Sequence, residues 1–129
     1  MNIKIGTINK QQATVDQTNI ASTLASGDLA VFATPSMIAL MEHAAHSCLA
    51  GFLEEGQSSV GTRVDVAHTA ATPMGMRVTA YAEIVGTEGK RVDFKVWAED
   101  GCGLIGEGTH SRVIINRERF MEKIGIKKM

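Results

Sequence analysis

Thr34, Glu42 and His68 are polar residues at places where the surrounding pattern calls for apolar or purely structural ones. A carboxylate and an imidazole that meet in a partly dry site set each other's protonation, which acid and base work near neutral pH requires. Thr34 precedes Pro35, whose missing N–H suits the first turn of a helix, so Thr34 stands at a helix start and can cap it. Unbonded N–H groups and the positive dipole end at such a start stabilise an oxyanion or a polarised carbonyl, which favours acyl chemistry. Each residue also has a plainer reading. Glu42 could be a partly exposed helix residue bonded to a neighbour, His68 a satisfied core histidine, and Thr34 only a cap. Spacing alone leaves open whether Glu42 and His68 meet within one subunit or across two.

The element that carries Thr34 and Glu42 is a long helix expected from Thr34 to Leu53. Ile38, Met41, Ala45, Cys48, Leu49 and Phe52 recur at helical spacing and define one apolar stripe. Glu42 falls in that stripe, and burying an ionised carboxylate costs several kcal/mol unless it is bonded or lines a wet cleft. Selection for stability alone would rarely leave it there. His68 ends an alternation of Val60, Thr62, Val64 and Val66 against Gly61, Arg63, Asp65 and Ala67, so it continues the buried face of a strand.

The rest of the chain supplies the frame. Ile3 to Val15 reads as extended and Asp16 to Ala33 as a loop. Residues 54–57 read as a stop with Gly56 in a left-handed conformation, and residues 72–75 as a turn with Pro73 and Gly75. Strands follow over Met76 to Ile84, Val92 to Ala98 and Leu104 to Asn116, separated by turns at residues 87–89 and 100–103. Gly106 and Gly108 share one face of the last strand, where missing side chains permit bending or the close approach of another element. Arg117 to Ile124 has the composition of a short terminal helix. The expected order is strand, loop, long helix and four consecutive antiparallel strands whose short connections make sequence neighbours pair. This α+β arrangement wraps a curved sheet around one helix and leaves an edge or face for a second copy, so a homodimer is expected.

Composition narrows the function classes. The 129 residues suit one domain over residues 1–129, and 13 basic against 14 acidic residues give no overall field pointing to nucleic acid or an anionic membrane. The cluster from Lys123 to Lys128 reads as a local, solvated tail. Cys48 and Cys102 do not make a disulfide framework, and the first ten residues lack an apolar leader segment, so a soluble, cytoplasmic protein is expected. Cys48, mid-helix on the apolar stripe, reads as an inert thiol. Glu42 and His46 lie one turn apart, but His43 projects elsewhere and a third ligand is lacking, so no metal site is assigned. Neither a nucleophile elbow nor a glycine-rich phosphate loop is present.

Three segments carry a resemblance: Val31-Phe32-Ala33-Thr34, Met41-Glu42-His43-Ala44, and the run from Ser59-Val60-Gly61-Thr62 through His68-Thr69-Ala70-Ala71-Thr72-Pro73 to Gly75. Together, over about Val31 to Arg112, they resemble the fluoroacetyl-CoA thioesterase family of hotdog-fold thioesterases. The resemblance implies a catalytic group of Thr34, Glu42 and His68, with Gly61 lending backbone contact near the thioester and Arg112 supporting the pocket. It further implies an acyl-CoA substrate, a pocket at a dimer interface and hydrolysis without a metal or redox cofactor; pairing of dimers into tetramers stays open. The fluoroacetate-specific members carry a longer segment with extra aromatic residues before the helix, whereas here Phe32 alone supplies an aromatic against the substrate. A short or medium acyl-CoA is therefore the expected substrate, with an acyl-CoA binding or sensing module as the alternative. A hydratase of the same fold lacks its Asp-Asn-His arrangement here.

Overall fold

A computed structural model describes residues 2–127. Strands β1 (Ile8–Thr14), β2 (Gln57–His68), β3 (Arg77–Glu88), β4 (Arg91–Asp100) and β5 (Gly103–Asn116) form one five-stranded sheet in the order β1-β3-β4-β5-β2, antiparallel throughout. A short helix α1 (Ala21–Leu24), a long helix α2 (Thr34–Ala50) and a terminal helix α3 (Arg117–Gly125) complete the fold. The core lies between α2 and the inner face of the sheet. Val78, Ala80, Ala82 and Ile84 of β3 and Val92, Phe94, Val96 and Ala98 of β4 alternate inward with the period of a half-buried sheet, as their sequence requires.

Strand pairing differs from the expected order at one place. β3, β4 and β5 pair as sequence neighbours, but β2 pairs with β5 and not with β3. The connection over residues 69–76 is not a hairpin. It is pinned along its length by Thr69 N–H to the Ile105 carbonyl (2.7 Å), by Phe32 N–H to the Thr72 carbonyl (2.9 Å) and by Gly75 N–H to the Val15 carbonyl (2.8 Å). Those bonds carry the chain from the β2 edge across the end of the sheet to β3, beside β1. Gly56 (φ 84°) and Gly75 (φ 91°) take the positive φ that their turn positions call for.

A bulge between Gly61 and Arg63 changes which residues of β2 face inward. Ser59 and Gly61 oppose the inward Ile114 and Arg112, whereas beyond the bulge Val64, Val66 and His68 oppose His110, Gly108 and Gly106. Val60 and Thr62 therefore leave the face that simple alternation assigns them, while His68 keeps it.

The buried side of α2 is made by Met37, Leu40, Met41, Ala44, Ala45, Cys48 and Leu49. This stripe is rotated relative to the expected one, because Met37, Leu40 and Ala44 join it while Ile38 and Phe52 are only half-buried. Glu42 consequently sits on its flank, with its side chain 41% exposed, and not within it. Thr34 is the first helical residue, and Ala33 occupies the cap position without a side-chain bond, so Thr34 does not cap. The helix also ends at Ala50, short of Leu53.

The loop expected from Asp16 to Ala33 contains α1 and folds back on itself through the Ile20–Phe32 bridge. α3 begins where expected, with the Asn116 side chain accepting from Arg119 N–H at 3.0 Å. Lys123 to Gly125 belong to it, and Lys128 lies outside the described residues. No helix among the described residues is long and apolar enough to cross a membrane.

Candidate active site

Two clusters line the α2–β2 contact. The first joins the start of α2 to the end of β2, where Thr34 Oγ1 and His68 Nδ1 share a 2.7 Å hydrogen bond. His68 reaches it because β2 keeps its inward register after the bulge, where it pairs with Gly106. A Cβ on Gly106 would lie 2.6 Å from Met37 Sδ and 2.8 Å from the Ala67 carbonyl oxygen. Burial holds the His68 imidazole below the ordinary histidine range. Nε2 of the same ring is buried without a hydrogen-bond partner among the described residues.

The pair opens onto a cleft of about 280 Å³, between α1 and residues 69–71, with Phe32, Thr34 and His68 in its wall. Phe32 is 2% exposed and belongs to the core as well as to the cleft. The first intrahelical bond of α2 runs from Met37 N–H to the Ala33 carbonyl, so the N–H groups of Thr34 and Ser36 precede the ladder. Thr34 lines the cleft, so a carbonyl oxygen held there would lie beside the positive end of the helix dipole.

The second cluster lies about 12 Å of helix rise further along, eight residues from Thr34. Glu42 Oε2 is 3.6 Å from Nη1 of Arg112, which is buried at 6% exposure. Arg112 Nε donates to Ser59 Oγ at 2.8 Å and Nη2 to the Ser59 carbonyl at 3.1 Å. Gly61 stands opposite, and a Cβ built on it would fall 2.6 Å from Glu42 Oε2, 3.2 Å from His110 Cε1 and 3.4 Å from Arg112 Nη1. The absent side chain is what gives the carboxylate its room.

Thr34 and His68 are thus brought together, as are Glu42, Gly61 and Arg112. No hydrogen bond or ion pair joins Glu42 to His68 among the described residues of this chain. No group of three or more His, Cys, Asp or Glu able to hold a metal is found among them either. Cys48 is buried with Sγ donating to the Thr7 carbonyl at 3.4 Å, and burial pushes its thiol pKa up, which suits an unreactive thiol. Ser59 and His110 were not singled out from sequence. The available signal was the inward alternation of Gly106, Gly108, His110, Arg112 and Ile114, which places two polar residues side by side on a buried face.

Comparison with known proteins bears on the arrangement as a whole. The family model for the fluoroacetyl-CoA-specific thioesterase matches residues 15–118. The fluoroacetyl-CoA thioesterase of Streptantibioticus cattleyicolor is 48% identical over 94 residues, which span 73% of this chain and 68% of that protein. A solved structure of the fluoroacetyl-CoA thioesterase FlK superposes with a TM-score of 0.94 at 36% identity, covering 100% of both chains. A Thermus thermophilus hypothetical protein, a thioesterase superfamily member, gives 0.89 at 31% identity, over 96% of this chain and 92% of that one. By its matched residues and by its fold, the chain belongs to the fluoroacetyl-CoA-specific thioesterase family of hotdog-fold thioester hydrolases.

Proposed function

We propose that this protein hydrolyses a short or medium acyl-CoA to the free acid and CoA, using Thr34, His68 and Glu42. The observation that carries the reading is the 2.7 Å bond between Thr34 and His68 at the mouth of a helix N-terminus. A neutral imidazole takes a proton from the attacking water as the thioester carbonyl is attacked, and the first-turn N–H groups receive the oxyanion. Where the oxygen of Thr34 or Glu42 attacks first, the acyl group passes to that oxygen as CoA leaves, and a water activated in the same way then releases the free acid. Collapse of the tetrahedral intermediate breaks the C–S bond, and the imidazolium returns its proton to the departing sulfur. Glu42 serves as base or nucleophile beside Gly61, and Arg112 binds substrate. Phe32 bounds the acyl end of the cleft.

The separation of the two clusters within one chain supports a homodimer, in which Glu42 and His68 of different copies serve one thioester. β2 is an edge strand whose residues 61–65 are exposed, and such an edge favours pairing with another strand. The two unpaired cysteines, Cys48 and Cys102, support a reducing cytoplasm as its place of action.

The test is purified protein with a panel of acyl-CoAs and a thiol reagent that reads released CoA. Steady release from at least one short or medium acyl-CoA is expected; binding without release would replace the hydrolase with a binding module. Two further outcomes follow. Because burial lowers the His68 pKa from the ordinary value of 6.5, the acid limb of kcat/KM should have its midpoint below pH 6.5, with activity lost as the imidazole takes up a proton. An acid limb with its midpoint well above 6.5 would be incompatible with His68 as base. Gly61→Ala should lower kcat/KM by about tenfold or more through displacement of Glu42 while circular dichroism stays native, since the nearest atom is the mobile end of a carboxylate.

A further inference from the structure

His110 is buried at 2% exposure and has no part in the reaction as described. Its Nδ1 lies 2.7 Å from the Arg63 carbonyl, and its Nε2 lies 3.2 Å from Arg112 Nη1. A carbonyl only accepts and a guanidinium only donates. The ring is therefore the neutral tautomer with its one proton on Nδ1, which donates to Arg63, and a bare Nε2 that accepts from Arg112. A second proton on the ring would set N–H against N–H. Burial, the largest cause, and the Arg112 charge hold the His110 pKa down, while the Arg63 carbonyl and Glu42 act in the opposite sense.

The Arg112 nitrogen that His110 holds is the one facing Glu42, 3.6 Å away, and it borders the space left by Gly61. The Arg63 carbonyl belongs to the bulge that sets the inward register of β2. Phe94 of β4 flanks the same ring, with centroids 6.0 Å apart. We infer that His110 is a positioning residue for acyl-CoA turnover: it ties the β2 bulge to Arg112 and aims Nη1 at Glu42 and at the substrate over Gly61. This rests on the reading of Arg112 as a substrate-binding residue.

Steady-state kinetics with an acyl-CoA that the wild type hydrolyses would test it. His110→Phe keeps an aromatic ring beside Phe94 but lacks the acceptor; it should raise KM about tenfold and change kcat less than about threefold. His110→Gln, whose amide can both donate and accept, should restore KM to within about threefold of wild type. In an Arg112→Ala background, which itself raises KM, His110→Phe should add nothing further. A wild-type KM in His110→Phe, or effects of the two changes that multiply, would overturn the role of His110 while leaving Arg112 in place. An unchanged KM in Arg112→Ala would instead defeat the reading of Arg112 and the inference with it. If His110→Phe does not fold, a long-range proton–nitrogen spectrum of the unmodified protein decides. Protonated Nδ1 with bare Nε2 is required, and the opposite tautomer refutes the inference.

Discussion

His68→Ala should lower kcat for acyl-CoA hydrolysis by about 10²- to 10⁴-fold, the range expected when a positioned acid–base group is lost. The side chain ends a strand, lies only partly within the core and contributes one hydrogen bond, to Thr34 Oγ1. Its removal should therefore leave the fold intact. Thr34→Val keeps the side-chain shape and deletes the hydroxyl at the other end of that bond. Combined with His68→Ala, it should produce far less than the product of the single effects, because each change disables the same proton path. Release of CoA measured on the two single variants and the double variant checks this, with melting curves as the control. Wild-type turnover in His68→Ala would remove His68 from the reaction.

The largest expected effect on stability belongs to Gly108→Ala. A Cβ there would collide with the Asp65 carbonyl oxygen and lie 2.6 Å from Val66 Cα, both backbone atoms of the paired strand β2. A flexible side chain could swing away, but a hydrogen-bonded strand cannot retreat without breaking the β2–β5 ladder. We expect a loss of about 3 kcal/mol or more, read as a lower midpoint in denaturant. Activity should fall as well, since β2 carries both Gly61 and His68. Gly51→Ala is the control: nothing lies within 4 Å of the added carbon and φ is −65°, so stability should stay within about 0.5 kcal/mol. Equal stability of the two variants would mean that β2 and β5 are not packed this closely.

These two predictions rest on different kinds of information. The position of Thr34 at a helix start was legible from Pro35, and the strand carrying His68 from valine alternation, because both signals are local. The closeness of the last strand to a neighbour was legible from two glycines on one face. What approaches them, Met37 for Gly106 and the β2 backbone for Gly108, depends on which strand lies alongside. Sequence pairs the strand ending at His68 with the one that follows it, because residues 72–75 read as a turn until the bonds of residues 69–75 to Phe32, Val15 and Ile105 are known.

Glu42 illustrates the same limit on the helix. Periodicity placed it in the apolar stripe; packing rotated the stripe toward Met37, Leu40 and Ala44 and left the carboxylate on the flank, facing Arg112. Helical spacing gives the relative angles of side chains but not which direction faces the sheet, and that choice is made by the volume the sheet leaves free.

By itself, then, the sequence determined the long helix and its start, the inward alternation of the core strands, the turns and the residues with chemical capacity, because hydrogen-bonding period, proline and glycine act over a few residues. Tertiary structure alone decided that β2 lies beside β5 and that a bulge switches its inward face. It also decided that Thr34 binds His68 instead of capping, and that Ser59 and His110 hold Arg112 against Glu42. Each of these depends on atoms far apart in the chain, and their pairing is set only when the whole sheet closes over the helix.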